Sequence, residues 1–221
     1  MIIVGLYNWH DGGYAVLKNG VLEEHIEFER YTRLKESPGD SLKHLEDVYL
    51  KKKHLTLKDV DCFVSPCPVN NLTKSQNETY ETFAKIEQKN ISFYSHHLCH
   101  ASHAFYSSRM KESLVLTVDS AGMETDGRAV STCAYYGLDK KIEKILDIES
   151  NHFSLGNLWG RCTRFIFKMS TGYPRGHQAG SVMAMAALGD ASIFYKDFYK
   201  MATSDFQHVK HTPPGYVRGK Y

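Results

Sequence analysis

The sequence lacks any long apolar run, and its charges are almost balanced. Among its 221 residues, 27 are Lys or Arg and 25 are Asp or Glu, which leaves a formal net charge of +2. No stretch approaches the roughly 18 apolar residues that a membrane-spanning helix needs. So small a charge excess gives no argument for binding nucleic acid or an anionic membrane. We therefore expect neither a membrane nor a nucleic acid as a partner.

Cysteine pairs and a secretion signal are also lacking. The five cysteines are scattered and form no CxxC pair, so neither a disulfide framework nor a zinc ribbon is indicated. The N-terminus turns polar after Tyr7 and has no basic segment before its apolar residues, which is not typical of a signal peptide. The expected location is the reducing cytoplasm.

What the first half contains is an alternation of short apolar runs and turns. The runs at 2–7, 14–17 and 21–28 predict three strands, and Asn19-Gly20 between the last two is a strong hairpin signal. A helix is predicted after an N-cap at Asp40 or Ser41. Further along the chain, the pattern predicts a strand over 60–65, a helix over 77–89 and a strand over 91–94.

The same plan starts again after residue 110. A buried-type strand over 114–118 is predicted to end at Asp119, and strands over 129–136 and 142–148 follow a turn at 122–127. After residue 150 the pattern predicts helices over 158–169, 178–188 and 191–201, without further strands. A repeated three-stranded meander predicts an α/β protein with two duplicated ribonuclease-H-like lobes, as in actin, Hsp70 and sugar kinases.

On this prediction, residues 1–110 form the first lobe and residues 111–221 a partial second lobe. Since no strand is predicted after residue 150, we expect the second lobe to be incomplete. Two unrelated α/β halves are the alternative.

Four histidines within eight residues form the most distinctive cluster. On a helix that begins after Ser95, the side chains of His96, His100 and His103 lie on one face, at positions i, i+4 and i+7. Two imidazoles four residues apart can bind one metal ion without rearrangement of the backbone, and neutral imidazole suits iron, zinc, copper or nickel. We expect His96 and His100 to be ligands, and His97 and His103 to have packing or supporting roles.

Asp119 follows the strand that comes next, where open α/β sheets bind ligands. It could supply a third, oxygen ligand, and a turn-capping role is the alternative. The small residues Ser120 and Gly122 after it would let a phosphate approach the backbone.

Two charged segments near the first three strands are further candidates. His10 and Asp11 follow the first strand and could act as a general base with its orienting carboxylate. Arg30, Arg33 and Lys35 could bind phosphate or carbonyl oxygens, whereas a solvated loop is the simpler interpretation of that segment.

Taken in order, these motifs resemble the N-terminal domain of the NodU/CmcH-type carbamoyltransferases over nearly the whole chain. The matching segments are Gly5-Leu6 through His10-Asp11, Glu29 to Lys35, His96 to Ala101, Val118-Asp119, Ser154-Leu155-Gly156 and Gly180 to Ala186.

The resemblance implies a transferase with duplicated lobes and a second, YrdC-like domain. In this family the YrdC-like domain makes carbamoyl-adenylate from carbamoyl phosphate and ATP, and the first domain transfers the carbamoyl group to a hydroxyl of a sugar or natural product. The family's metal ligands match His96, His100 and Asp119. Iron is the expected divalent metal, with zinc or manganese as alternatives.

The resemblance also implies the remaining site residues. The family's residues at the acceptor and carbamoyl site match His10, Asp11 and Lys35. Ser120, Gly122 and Arg30 are the expected contacts of the nucleotide phosphate.

Three departures from the family pattern keep other functions open. Ser120 stands where the family usually has glycine, Ser181 stands where it usually has lysine, and the YrdC-like domain is absent, so we expect the chain alone not to complete a catalytic cycle. A non-catalytic metal- or nucleotide-binding remnant, or the partner subunit of a split enzyme, is the alternative. A sugar-kinase-like ATPase fits poorly, because Asn8 to Asp11 lacks a glycine-rich phosphate turn.

Overall fold

The computed structural model describes residues 1–34, 36–37, 39–66, 91–150, 154–169, 178–197 and 199. These residues form an α/β structure with two sheets and divide into two compact units. Within the described ranges, the first unit comprises residues 1–99 and 123–127, and the second comprises the rest. None of the described helices has the length and apolar character needed to cross a membrane.

The first unit is built on a five-stranded mixed sheet. Its strands are β1 (Ile2–Tyr7), β2 (Gly13–Lys18), β3 (Val21–Glu27), β4 (Cys62–Pro66) and β5 (Ile91–Tyr94). They lie in the order β3-β2-β1-β4-β5. Strands β1 to β3 are antiparallel, whereas β4 runs parallel to β1 and to β5. The predicted meander of three strands is confirmed, and so is the hairpin between β2 and β3.

Short helices cover this sheet and close its core. They are α1 (Glu29–Thr32), α2 (Ser41–His44), which continues as a π-helix over Leu45–Leu50, and a 3-10 turn over Leu57–Asp59. Asp40 is the N-cap of α2, because its carboxylate accepts a hydrogen bond of 2.9 Å from the Lys43 amide. The buried side chains of this core include Val4, Leu6, Val16, Phe28, Leu42, Leu45, Tyr49 and Phe63. The helix predicted over 77–89 lies outside the described residues.

The second unit contains a three-stranded sheet of longer strands. These are β6 (Glu112–Met123), β7 (Ala129–Leu138) and β8 (Lys141–Glu149), in the order β6-β7-β8. Helix α3 (His96–Ser108) precedes them, and the division into units falls inside this continuous helix, between Cys99 and His100. Two further helices follow, α4 (Leu155–Arg161), which continues as a π-helix over Cys162–Ile166, and α5 (Ala179–Ala186).

Helix α3 covers one face of this sheet, and the other face is exposed. A β-carbon on Gly137 of β7 would lie 2.5 Å from the Phe105 ring, so helix and strand are in direct contact there. On β6, Val115 is buried, whereas Leu114 and Leu116 are 70% and 65% exposed. The strand predicted as a buried type is therefore covered on one side only.

The end of β6 also differs from the prediction. The strand continues through Asp119 to Met123, so Asp119 lies within it rather than after it. The prediction ended the strand where the β-branched residues end, but the strand continues through the small residues that follow and neighbours β7 in the sheet. The predicted lobe boundary at residue 110 lies further along the chain than the division inside α3, and the duplication of ribonuclease-H-like lobes stays a prediction.

Candidate metal centre

The histidine cluster begins helix α3. The carbonyl of Ser95 accepts a hydrogen bond of 3.1 Å from the Cys99 amide, which closes the first turn. His96 and His100, one turn apart, lie on the same side of this helix. His97 is fully buried, in line with the packing role expected of it, and His103 is exposed.

Asp119 on β6 brings a carboxylate to these two imidazoles. Its Oδ2 lies 3.5 Å from Nε2 of His100. The ligand atoms of His96, His100 and Asp119 all lie within 4.8 Å of one another. Among the residues that the structure describes, this is the group of His, Cys, Asp or Glu side chains arranged to hold a metal ion.

The chemistry of these three donors fits a divalent transition metal. Bonds from nitrogen or oxygen to such an ion are about 2.0–2.2 Å long, so two ligands on one ion lie up to ~4 Å apart, and the side chains need only close slightly. Two imidazoles and one carboxylate leave further coordination positions open for substrate, as in non-haem iron sites. The set is compatible with iron and with zinc.

The carboxylate of Asp119 is held on both of its oxygens. Oδ1 accepts a hydrogen bond of 2.6 Å from the backbone amide of Ser120, while Oδ2 faces His100. The side chain is half-buried, so it remains accessible to an ion and to substrate.

Ser154 and Gly156 contact the same stretch of β6 from the start of α4. The Ser154 hydroxyl donates a hydrogen bond of 2.7 Å to the Ser120 carbonyl and accepts one of 3.1 Å from the Asn157 amide, as the N-cap of α4. A β-carbon on Gly156 would lie 2.3 Å from the Ser120 nitrogen. The glycines before this helix predict a close approach of the backbone to a ligand or tight helix packing, and Gly156 packs tightly against β6. The serine before a helical run could have suggested the cap, but not the contact with β6.

His10 and Asp11 form a separate pair in the first unit. Nδ1 of His10 lies 2.8 Å from Oδ2 of Asp11, and both side chains are exposed. Asp11 adopts a left-handed conformation, with φ of 56°, in the turn that follows β1. The pair has the geometry of an imidazole oriented by a neighbouring carboxylate.

The other predicted contacts are spread over both units. Arg30 is exposed and makes ion pairs with Glu27 at 3.2 Å and with Glu29 at 3.8 Å. Ser120 is exposed, with its amide engaged by Asp119, and Gly122 is buried. The prediction for Lys35 falls outside the described residues.

Comparison with known protein families gives one match that covers most of the chain. The model of the family described as "Carbamoyltransferase N-terminus" matches residues 69–212. The nodulation protein NolNO of Sinorhizobium fredii is 28% identical over 138 residues, which is 51% of this chain and 20% of NolNO. A protein of Methanocaldococcus jannaschii, MJ1058, is 52% identical over 40 residues, or 17% of this chain and 7% of its own length. The chain thus spans about a fifth, or less, of these curated relatives.

Two solved structures align with parts of this chain. Full-length HypF in its phosphate- and nucleotide-bound form covers 65% of this chain with 14% identity and a TM-score of 0.44, and the match spans 21% of that protein. HypF of T. kodakarensis covers 92% of this chain with 13% identity and a TM-score of 0.46, and the match spans 26% of that protein.

Proposed function

The chain belongs to the family of carbamoyltransferase N-terminal domains, and from this premise we propose that it carries the transfer site of an O-carbamoyltransferase. The proposed reaction moves a carbamoyl group from carbamoyl-adenylate to a hydroxyl of a sugar or natural product. The proposed partner is a YrdC-like domain or subunit, which would supply the adenylate from ATP and carbamoyl phosphate.

The observation that carries the proposal is the convergence of His96, His100 and Asp119. These three side chains would hold a divalent ion, with iron as the first candidate. When bound, such an ion supplies Lewis acidity toward phosphate oxygens and stabilises the negative charge of a leaving phosphate.

The pair formed by His10 and Asp11 supplies the base. With Nδ1–H donated to Oδ2 of Asp11 at 2.8 Å, Nε2 of His10 is the basic nitrogen that takes the proton of the acceptor hydroxyl. The hydroxyl oxygen forms the new bond to the carbamoyl carbon, the bond from that carbon to the phosphate oxygen breaks, and AMP leaves with the bonding electron pair.

The proposed site has four further residues. Lys35 polarises the carbamoyl carbonyl through its positive charge. Arg30, Ser120 and Gly122 are the proposed contacts of the phosphate. Ser120 would use its exposed side chain, because its amide is engaged by Asp119, and Arg30 would have to exchange its ion pairs with Glu27 and Glu29.

Metal analysis of the purified full chain tests the proposed centre. We expect about one ion per chain in the wild type, and a loss of at least tenfold in affinity for His96→Ala, His100→Ala and Asp119→Ala, because each change removes one of three ligands. His103→Ala, an exposed histidine on the same helix, is the matched control and should bind as the wild type does. Equal binding by all of these variants would refute the metal centre.

A transfer assay with an added YrdC-like subunit tests the base. His10→Ala should lower the transfer rate by about 10²- to 10⁴-fold, the usual contribution of a general base, while its metal content stays unchanged. Full activity of His10→Ala would remove His10 from the reaction.

One observation favours the second candidate, a metal- or nucleotide-binding subunit without transfer activity. Ser120 replaces the family's usual glycine, and its amide donates to Asp119 rather than facing outward for a phosphate. If the chain binds its metal but shows no transfer with any YrdC-like subunit, and Ser120→Gly does not restore it, this second function is the correct one.

A further inference from the structure

We propose that Ser154 and Gly156, at the start of helix α4, position Asp119 for metal binding. This inference rests on the proposed metal centre and assigns a role to two residues outside its ligand set. They act through the backbone of Ser120, so they are positioning residues rather than ligands.

The carboxylate of Asp119 is oriented by a backbone hydrogen bond. Oδ1 of Asp119 accepts a hydrogen bond of 2.6 Å from the Ser120 amide, and this turns Oδ2 toward His100, at 3.5 Å. The direction of the metal-binding oxygen thus depends on where the peptide nitrogen of Ser120 lies. A carboxylate ligand that lacks such a partner can rotate, and the loss of such supporting contacts typically weakens metal binding by about 10- to 100-fold.

The backbone of Ser120 is in turn fixed by a hydrogen bond from Ser154. The Ser154 hydroxyl donates to the Ser120 carbonyl at 2.7 Å and lies 3.3 Å from the Asp119 carbonyl. Because the same oxygen accepts from the Asn157 amide, one hydroxyl joins the first turn of α4 to the backbone of β6. A side chain that only accepts hydrogen bonds could cap α4. To join α4 to β6, the side chain must also donate a proton, as the hydroxyl of Ser154 does.

Gly156 also approaches the backbone of Asp119 and Ser120 closely. A β-carbon there would lie 2.3 Å from the Ser120 nitrogen and 2.5 Å from the Asp119 carbonyl carbon. These are backbone atoms, so they cannot rotate away as a side chain would. Any other residue at position 156 must displace the peptide whose amide holds Oδ1.

Cobalt titration of the metal-free full chain tests the proposal, because the visible absorption of bound Co²⁺ depends on the arrangement of its ligands. We expect Ser154→Ala and Gly156→Ala to bind Co²⁺ about 10- to 100-fold more weakly than the wild type, with a changed spectrum. Ser154→Thr keeps a hydroxyl that can both donate and accept, so it should restore the wild-type spectrum.

Two matched controls separate positioning from loss of stability. Asp40→Ala removes the N-cap of α2 in the first unit and should cost about 1 kcal/mol of stability without altering the cobalt spectrum. Gly189→Ala places its new carbon 3.5 Å from the nearest described atom, an ordinary contact, and should also leave the spectrum unchanged.

The outcomes distinguish this inference from the function on which it rests. If the wild type binds no Co²⁺, or His96→Ala binds it equally well, the metal centre itself is refuted. If His96→Ala loses Co²⁺ while Ser154→Ala and Gly156→Ala keep the wild-type affinity and spectrum, the metal centre stands and the positioning role is wrong.

Discussion

The two sheets of this protein start from the same plan of consecutive strands but differ in how much apolar surface they cover. In the first unit, Leu45 from the helical segment is fully buried in a core formed with the sheet. In the second unit, Leu114, Leu116 and Val118 of β6 alternate outward and stay exposed. Two sheets that begin with the same order of strands can therefore differ in how much of their apolar surface is covered.

The difference shows where the folding free energy lies. Burial of apolar area is the main favourable contribution to folding, and a buried leucine side chain contributes about 1.5–3 kcal/mol relative to an exposed one. In the first unit, apolar side chains of both the sheet and the helices contribute this burial. The second gains it from the face of β6 and β7 that α3 covers, while the opposite face contributes little.

The largest expected effect comes from the same truncation made in each unit. Leu45→Ala should destabilise the first unit by about 2–5 kcal/mol, because it leaves a cavity in a closed core. Leu116→Ala, at a side chain that is 65% exposed, should change the stability of the second unit by less than about 1 kcal/mol.

Urea unfolding followed by tryptophan fluorescence measures both changes. The chain has two tryptophans, and Trp9 belongs to the first unit while Trp159 belongs to the second. Replacing either with Phe leaves a reporter of one unit. A cost of more than about 2 kcal/mol for Leu116→Ala would contradict the difference between the two sheets.

A smaller effect is expected at alkaline pH, and in the first unit. Burial, together with a hydrogen bond to Glu23, raises the pKa of Tyr49 to about 12, above the value of about 10 for an unfolded chain. The folded state holds the Tyr49 proton more tightly than the unfolded chain does. The resulting stabilisation of the folded state is complete below pH ~10 and is lost as the pH rises toward 12. Burial and Glu24 also raise the pKa of Tyr14.

The urea midpoint reported by Trp9, measured between neutral and alkaline pH, tests this expectation. Tyr49→Phe should make the midpoint depend less on pH in this range than it does in the wild type. An unchanged dependence in Tyr49→Phe would show that the proton on Tyr49 does not contribute.

The smallest effect is expected at acidic pH, and in the second unit. Hydrogen bonds from Arg128, at 2.9 Å to both oxygens, and from Lys144 hold the pKa of Asp147 well below its usual range. The stabilisation is present above the unfolded pKa of about 3.9 and is lost as the pH falls below it. Since these side chains are partly exposed, we expect no more than about 1 kcal/mol.

Acid titration of the second unit, followed through Trp159, measures this loss. Asp147→Asn should be less stable than the wild type at neutral pH and should lose less stability on acidification. If both proteins lose stability in parallel as the pH falls, the ion pairs at Asp147 do not contribute to it.

Local sequence patterns predicted the strands well where the types of side chain in the strand determine its bounds. The strands at 2–7 and 91–94 were predicted with the bounds that the structure has, because both are short runs that contain β-branched or aromatic residues, which favour strands. The structure extends β6 beyond its predicted end and leaves one of its faces exposed. Both depend on the neighbouring strand β7 and on coverage by α3, which the apolar run itself does not encode.

The same distinction holds for the candidate site. The spacing of His96 and His100 predicted their common face, since the helical repeat alone determines it. The hydroxyl of Ser154 contacts the Asp119 carbonyl from 35 positions further along the chain, and no periodic pattern links the two residues. The roles of the individual site residues stay predictions until the metal and transfer experiments are done.

The packing around Phe28 has a consequence for the tolerance of the chain to random mutation. A β-carbon on Gly12 would lie 2.9 Å from the Phe28 ring, and one on Gly39 would lie 2.3 Å from it. A single base change in a glycine codon that replaces the residue always introduces a β-carbon. In a mutagenised library selected for correctly folded chains, both codons should therefore remain almost invariant, although neither residue carries a chemical group that selection could act on directly.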